Sequence, residues 1–233
     1  MEILKGEQFE PDYLKINPNG VVPTLVHDGY VIIESTIIAE YINDLFDSPP
    51  LVPIDARQHA AMLMWTKHVD EKLHSMTSAL TYICSHRHTI LEDNSPEQVE
   101  EIINETRDPV KRTRKRQWIE LGLDAPGAAD AVKMFRSTLR LMEASLEGSL
   151  WLAGDTYSLA DIALTPYANR LLMLGMKGFW NDLPKVTEWF KRVSARAKFE
   201  PAVLSWVPAG LASSLSKNGA KSWPQVKDML DAL

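Results

Sequence analysis

The 233-residue sequence predicts a small α/β unit followed by a larger all-α unit. Three observations carry this. Two short β-branched runs flank Asp28-Gly29 between Val22 and Ser35, and that dipeptide suits the positive φ angles of a tight hairpin turn. The stretch Ser48-Pro49-Pro50-Leu51-Val52-Pro53 then breaks all periodicity. Beyond it, apolar residues recur every three or four positions, the spacing of helix faces.

In chain order, Met1–Lys5 reads as a short strand, and Gly6–Lys15 as polar and turn-like, with one helical turn at Pro11–Leu14. Asn17-Pro18-Asn19-Gly20 is a loop, because proline fixes φ and glycine tolerates φ > 0. The hairpin follows. From Thr36 to Phe46, Ile37, Ile38, Tyr41, Ile42 and Leu45 fall at helical spacing. Residues 48–55 are the expected linker between a first domain, 1–47, and an all-α domain, 56–207. In the latter, Met62, Trp65, Val69, Leu73, Met76, Leu80 and Ile83 form one apolar stripe. A second runs through Ala128, Val132, Phe135, Leu139, Met142 and Leu146. Residues 92–127 are charged and proline-containing, so a less regular excursion is expected there. A third helix starts at Ser158 and a fourth spans Pro184–Arg196. Residues 208–233 read as a tail: small and polar to Gly219, then a short final helix or a loose end.

Composition narrows the function classes. Hydrophobic residues make up 45% and charged residues 24%, ordinary for a globular chain. A net charge of −6 argues against a general nucleic-acid binder. The one cysteine, Cys84, excludes an internal disulfide, provides no metal cluster and fits a reducing cytoplasm. No apolar run reaches the ~20 residues a membrane helix needs. Met1-Glu2-Ile3-Leu4-Lys5 lacks the basic and apolar regions of a signal peptide.

The motif with most chemistry is Val22-Pro23 followed, eleven residues after the proline, by Glu34-Ser35 at a helix start. Taken alone, Pro23 could simply open an edge strand, and Ser35 could be a plain N-cap. Together, with a hairpin between them, they resemble the glutathione-binding half of the glutathione transferases. The order of domains agrees: a thioredoxin-like α/β domain, then a helical domain. Leu150-Trp151-Leu152-Ala153-Gly154-Asp155 and Ser158–Ala163 are similar to the buried N-capping segment of that family's helical domain. The resemblance spans roughly residues 1–205. In Lys15–Pro23 and Met64–Glu71 the wording is similar to bacterial lignin β-etherases and related fungal enzymes.

The resemblance implies the following. The Val22–Pro23 bond is cis, and the Val22 backbone holds the cysteinyl part of glutathione in the manner of an added strand. Glu34 pairs with the γ-glutamyl ammonium. Ser35 and the free N–H groups of its helix hold the γ-glutamyl carboxylate, because a helix start favours an anion. Glutathione is then a co-substrate. Its thiolate attacks a small hydrophobic electrophile, by conjugation or by reductive cleavage of an ether or halide. A homodimer and a cytoplasmic location come with the family. The rival readings are a non-catalytic module of the same fold and a protein-interaction module.

The family's catalytic Ser, Tyr or Cys lies on an earlier strand–helix unit, and only 22 residues precede Pro23. No residue matches that position, so the sulfur-activating residue is left unassigned and the first domain is expected to be truncated. The favoured expectation is a start at an internal methionine or residues upstream of Met1; a genuine truncation is the third reading.

Other motifs read more plainly. Ser158-Leu159-Ala160-Asp161 fits a capping box with Asp in place of Glu, so Ser158 and Asp161 are structural. His68, His74 and His86-Arg87-His88 do not converge as metal ligands would, and no metal is expected. By family analogy, Trp65, His68 and Tyr82 line the electrophile pocket or the dimer interface. The run Lys111-Arg112-Thr113-Arg114-Lys115-Arg116 reads first as a solvated helix face offset by Glu101, Glu105 and Asp108. Nucleic-acid contact and attraction of an anionic substrate are its other readings.

Overall fold

The computed structural model describes residues 6–46, 49–208 and 210–233. The strand expected at Met1–Lys5 and the start of the linker at Ser48 lie outside the described residues. A 3-10 turn at Glu7–Phe9 leads into helix α1, Pro11–Ile16. Strands β1, Thr24–His27, and β2, Tyr30–Ile33, form an antiparallel hairpin with Thr24 opposite Ile33 and His27 opposite Tyr30. Its two-residue turn has φ 49° at Asp28 and φ 81° at Gly29, the positive pair that Asp-Gly tolerates. Helix α2, Ser35–Leu45, closes the small unit.

The first stripe is one continuous helical rod. Helix α3, Ala56–His68, passes through a π turn at Val69–Leu73 into α4, His74–Thr81. A second π turn, Tyr82–His86, leads into α5, Arg87–Asp93. The excursion expected at 92–127 is instead two helices, α6, Pro96–Asn104, and α7, Pro109–Leu121. Each starts with a proline behind a capping residue: Ser95 with Gln98 in a capping box, and Asp108 accepting from Val110 and Lys111 N–H. Those caps provide the start signals that charge-rich composition obscured. Helices α8, Ala128–Ser145, α9, Leu159–Met173, and α10, Pro184–Ser194, follow as expected.

The expected tail is also corrected. Residues 211–231 form one helix, α11, Leu211–Asp231, which packs on α8, on α9 and on the Tyr82–His86 turn. Its small residues are the reason it fits. A Cβ on Gly219 would lie 2.0 Å from the Leu174 carbonyl oxygen, which is backbone and cannot swing aside. Gly219→Ala should therefore lower stability by ~1–3 kcal/mol through overpacking, despite the better helix propensity of alanine. A denaturant midpoint at or above that of the parent chain would contradict this contact.

The core lies in the helical part, around Met62, Leu80, Phe135, Leu164, Trp180 and Trp189. One polar knot sits inside it. The Asp161 carboxylate is fully buried and accepts from Leu152 N–H at 3.1 Å, Ser158 N–H at 3.0 Å, Ser158 Oγ–H at 3.2 Å and Trp189 Nε1–H at 2.8 Å. Burial pushes its pKa above the ordinary aspartate value, while these donors pull the other way.

The small unit is tied to the helical one at three places. Thr36 Oγ1 donates to Asp70 Oδ2 at 2.6 Å. Leu51 N–H donates to Asn43 Oδ1 at 2.7 Å, and the Leu51 carbonyl accepts from Leu159 N–H at 3.0 Å. The linker thus hydrogen-bonds to α2 on one side and to the start of α9 on the other.

Candidate functional site

The site begins with a pinned loop. The Val21 carbonyl accepts from Tyr13 Oη–H at 2.5 Å and from Asn17 Nδ2–H at 2.9 Å, and Asn17 is fully buried. Asn17 also braces its own turn, accepting from Asn19 N–H at 3.1 Å. Immediately after this anchor comes the Val22–Pro23 peptide, which is cis. Sequence reasoning identified Val22 and Pro23 but missed Tyr13 and Asn17. An Asn-Pro-Asn-Gly string announces a loop and not the buried amide that holds it.

Across the hairpin, Glu34 adopts φ 69° and ψ 117°, a region that a non-glycine residue occupies only where the surroundings impose it. That turn swings the chain from β2 directly into α2. Glu34, not Ser35, is the N-cap, and its side chain makes no cap hydrogen bond. Ser35 is the first helical residue, is exposed, and its hydroxyl bonds to no described residue. The first-turn N–H groups of an 11-residue helix are thus left open to an outside acceptor.

Ser35 and Thr36 border a cavity of about 190 Å³ closed on the helical side by Val69, Ile162, Pro166 and Tyr167. Pro166 and Tyr167 also border a second cavity of about 420 Å³, lined further by His74, Thr81, Tyr82, His86 and Arg170. The two cavities therefore meet at α9, one on the small-unit side and one along α4 and the second π turn. Both π turns of the long rod serve this region. The first carries Asp70, bonded to Thr36, and the second carries Tyr82 and His86. Such turns in α-helices commonly mark functional segments.

The three residues expected at the electrophile pocket or the dimer interface part company. Tyr82 lines the larger cavity, where burial pushes its hydroxyl pKa up to about 12. Its oxygen is buried and has no hydrogen-bond partner. Trp65 and His68 border neither cavity, because their polar atoms are committed elsewhere. Trp65 Nε1–H donates to the Leu152 carbonyl at 3.1 Å, and His68 Nε2 lies 2.8 Å from Thr138 Oγ1. His74, Tyr167 and Arg170 were missed. His74 Nδ1 lies 3.1 Å from Tyr167 Oη, across from α9. Burial, with Asp70 adding to it, pushes the Tyr167 hydroxyl to about 12. Burial, then the Arg170 charge, holds His86 below its ordinary pKa.

Cys84 faces away from this chemistry. It is fully buried, and burial pushes its thiol pKa to about 12. The basic run lies on α7 and is largely engaged. Arg116 pairs with Glu100 and Glu120, Lys115 donates to the Ile102 carbonyl, and Arg112 Nε–H donates to the Thr106 carbonyl at 2.8 Å. Arg114 lies over the Trp118 ring, 5.1 Å from its centroid. Glu100 and Glu120 pair with the run directly, and of the expected acids Glu105 acts on Lys115 and Asp108 on Lys111 and Arg114. Among the described residues no group of three or more His, Cys, Asp or Glu side chains could hold a metal ion, and no helix is long and apolar enough to cross a membrane.

Comparison with known proteins meets this geometry from outside. Family models for the glutathione S-transferase N-terminal domain and C-terminal domain match residues 1–44 and 123–197. The chain is 32% identical over 200 residues to Protein LigF of Sphingobium sp. (strain NBRC 103272 / SYK-6), covering 82% of this chain and 77% of that protein. The crystal structure of beta-etherase LigF from Sphingobium sp. strain SYK-6 superposes with a TM-score of 0.71 at 30% identity, over 86% of this chain and 84% of that one. A tetrachloro-p-hydroquinone reductive dehalogenase of Sphingobium chlorophenolicum is 27% identical over 210 residues, 84% of this chain and 80% of that protein. A theta-class glutathione S-transferase from Xanthomonas axonopodis pv. citri, solved with glutathione bound, shares the fold at 21% identity and a TM-score of 0.57, over 85% of this chain and 80% of that one.

Proposed function

The chain belongs to the glutathione S-transferase family, and from that membership we propose that it binds glutathione at the hairpin and α2 and directs its thiolate onto a small electrophile. The reaction is conjugation, or reductive cleavage of an ether or halide. One observation carries the reading: Ser35 opens α2 with an unengaged hydroxyl at the mouth of a cavity, behind a Glu34 held at positive φ. The γ-glutamyl carboxylate of glutathione matches that helix start, and the Glu34 carboxylate matches the neighbouring ammonium. The Val22 backbone, ahead of Pro23, takes the cysteinyl segment. The larger cavity behind α9, with Tyr82 in its wall, then receives the electrophile.

The relatives support both reaction types, since one is described as a beta-etherase and another as a reductive dehalogenase. The same reading divides the chain into a thioredoxin-like domain at 1–47, a linker at 48–55 and a helical domain from 56. It also carries a homodimer and a cytoplasmic location. No sulfur-activating residue is assigned.

Calorimetric titration of the chain with glutathione tests this. Binding in the micromolar to millimolar range, followed by turnover of a chlorinated aromatic acceptor, is the expected result. Binding without turnover of any acceptor would make the chain a glutathione-binding module. A folded sample that takes up no glutathione would sink the proposal.

A further inference from the structure

The larger cavity contains a cation without a counter-ion. Arg170, on α9, lines it, and the guanidinium makes no hydrogen bond or ion pair with any described residue. Arginine is mostly covered only when paired, yet Arg170 is partly buried and no carboxylate lines this cavity. Its neighbours in the wall are hydroxyls and imidazoles: Tyr82, Thr81, His74, His86 and Tyr167. The nearest acid that acts on this wall, Asp70, already accepts from Thr36. The contrast with Arg136 is instructive. That residue is also partly buried, and it forms two hydrogen bonds to Asp182 and one to the Phe179 carbonyl.

A planar fork of donors matches a carboxylate in two parallel hydrogen bonds. Tyr82, Tyr167 and Pro166 offer flat apolar walls beside it, in a volume of about 420 Å³ that suits a single-ring molecule. We infer that the electrophile this protein takes is a small aromatic carboxylate, docked on Arg170. This rests on the proposed placement of the electrophile behind α9. With 4-chloro-3-nitrobenzoate as probe, the glutathione thiolate would attack the ring carbon that bears chlorine. The C–S bond forms, the C–Cl bond breaks, chloride leaves and the thiol proton goes to solvent.

Binding separates this inference from the proposed function. The unreactive pair 3-nitrobenzoate and 3-nitrobenzamide differs only in the charged group. The parent chain should bind the carboxylate on the order of tenfold more tightly than the amide, as expected for a hydrogen-bonded charge partner. Arg170→Gln should abolish that preference, Arg170→Lys should restore part of it, and both should bind glutathione as the parent does. Equal binding of the two probes by the parent, with glutathione still bound, overturns the inference and leaves the proposed function standing. A preference that depends on Arg170 in a chain that binds no glutathione supports the anion site and removes the proposed function. Loss of glutathione affinity in a folded Arg170→Gln chain would assign Arg170 to a carboxylate of glutathione itself, and that too overturns the inference. If the glutamine variant does not fold, the lysine variant and the parent preference decide.

Discussion

Asp161→Ala is expected to remove roughly 3–5 kcal/mol of stability, a large part of what a domain of this size has. The carboxylate is the common acceptor of Leu152 N–H, Ser158 N–H, Ser158 Oγ–H and Trp189 Nε1–H, and all three donor residues, like Asp161 itself, are buried. Truncation leaves those donors without partners inside the core, at ~1–3 kcal/mol for each buried group that finds no substitute. The loss is not the sum, because neighbouring donors can relax into the space vacated. Asp161→Asn keeps one carbonyl oxygen but brings two donors into a site built for acceptors, so it should fall between alanine and the parent. Denaturant melts of the three chains, compared at equal slope, measure this. An alanine variant within 1 kcal/mol of the parent, about the size of a single net hydrogen bond, would show that the knot is decoration.

Ser35→Ala should leave the melt unchanged and weaken glutathione binding by about tenfold, the loss of one charge-assisted hydrogen bond. The asymmetry follows from the geometry. The Ser35 hydroxyl is exposed and bonds to no described residue, so its removal orphans no partner among them. The first-turn N–H groups of α2 survive the substitution and continue to attract the carboxylate, so the loss is partial. A calorimetric affinity equal to that of the parent would take Ser35 out of the site. The companion effect on the melt matters as much, because a destabilised Ser35→Ala would mean that the hydroxyl serves the fold.

Local chemistry made part of this legible from sequence. The hairpin could be read because Asp28-Gly29 states its own turn, and the Ser158–Asp161 box could be read because both partners lie within one helical turn. The positions Val22, Pro23, Glu34 and Ser35 were proposed from their resemblance to the glutathione transferases. What stayed hidden depends on contacts across the chain. Nothing near Gly219 in sequence reveals that the Leu174 carbonyl occupies the space of its missing side chain. Helices α6 and α7 were concealed by charged composition, although Ser95-Pro96 and Asp108-Pro109 marked their starts. Trp65 and His68 sit on the same rod as Tyr82, yet the π turn at Val69–Leu73 between them shifts the face presented, and only Tyr82 reaches the cavity. Arg170 looks like an ordinary surface arginine until the wall around it is seen.

The position of Cys84 has a practical consequence for following the chemistry. It is the one cysteine of the sequence, sealed between the long rod and α11, with its backbone carbonyl accepting from Ser222. A thiol held near pKa 12 is almost entirely protonated at neutral pH and resists alkylating and disulfide-exchange reagents. The folded protein is therefore optically and chemically silent as a sulfur compound. Ultraviolet thiolate absorbance that appears on adding glutathione, or the rate at which a disulfide reagent consumes thiol, reports the ligand thiol, with no protein thiolate contributing. A change in the apparent acidity of glutathione on binding can be read directly from the wild-type chain, without first engineering the cysteine away.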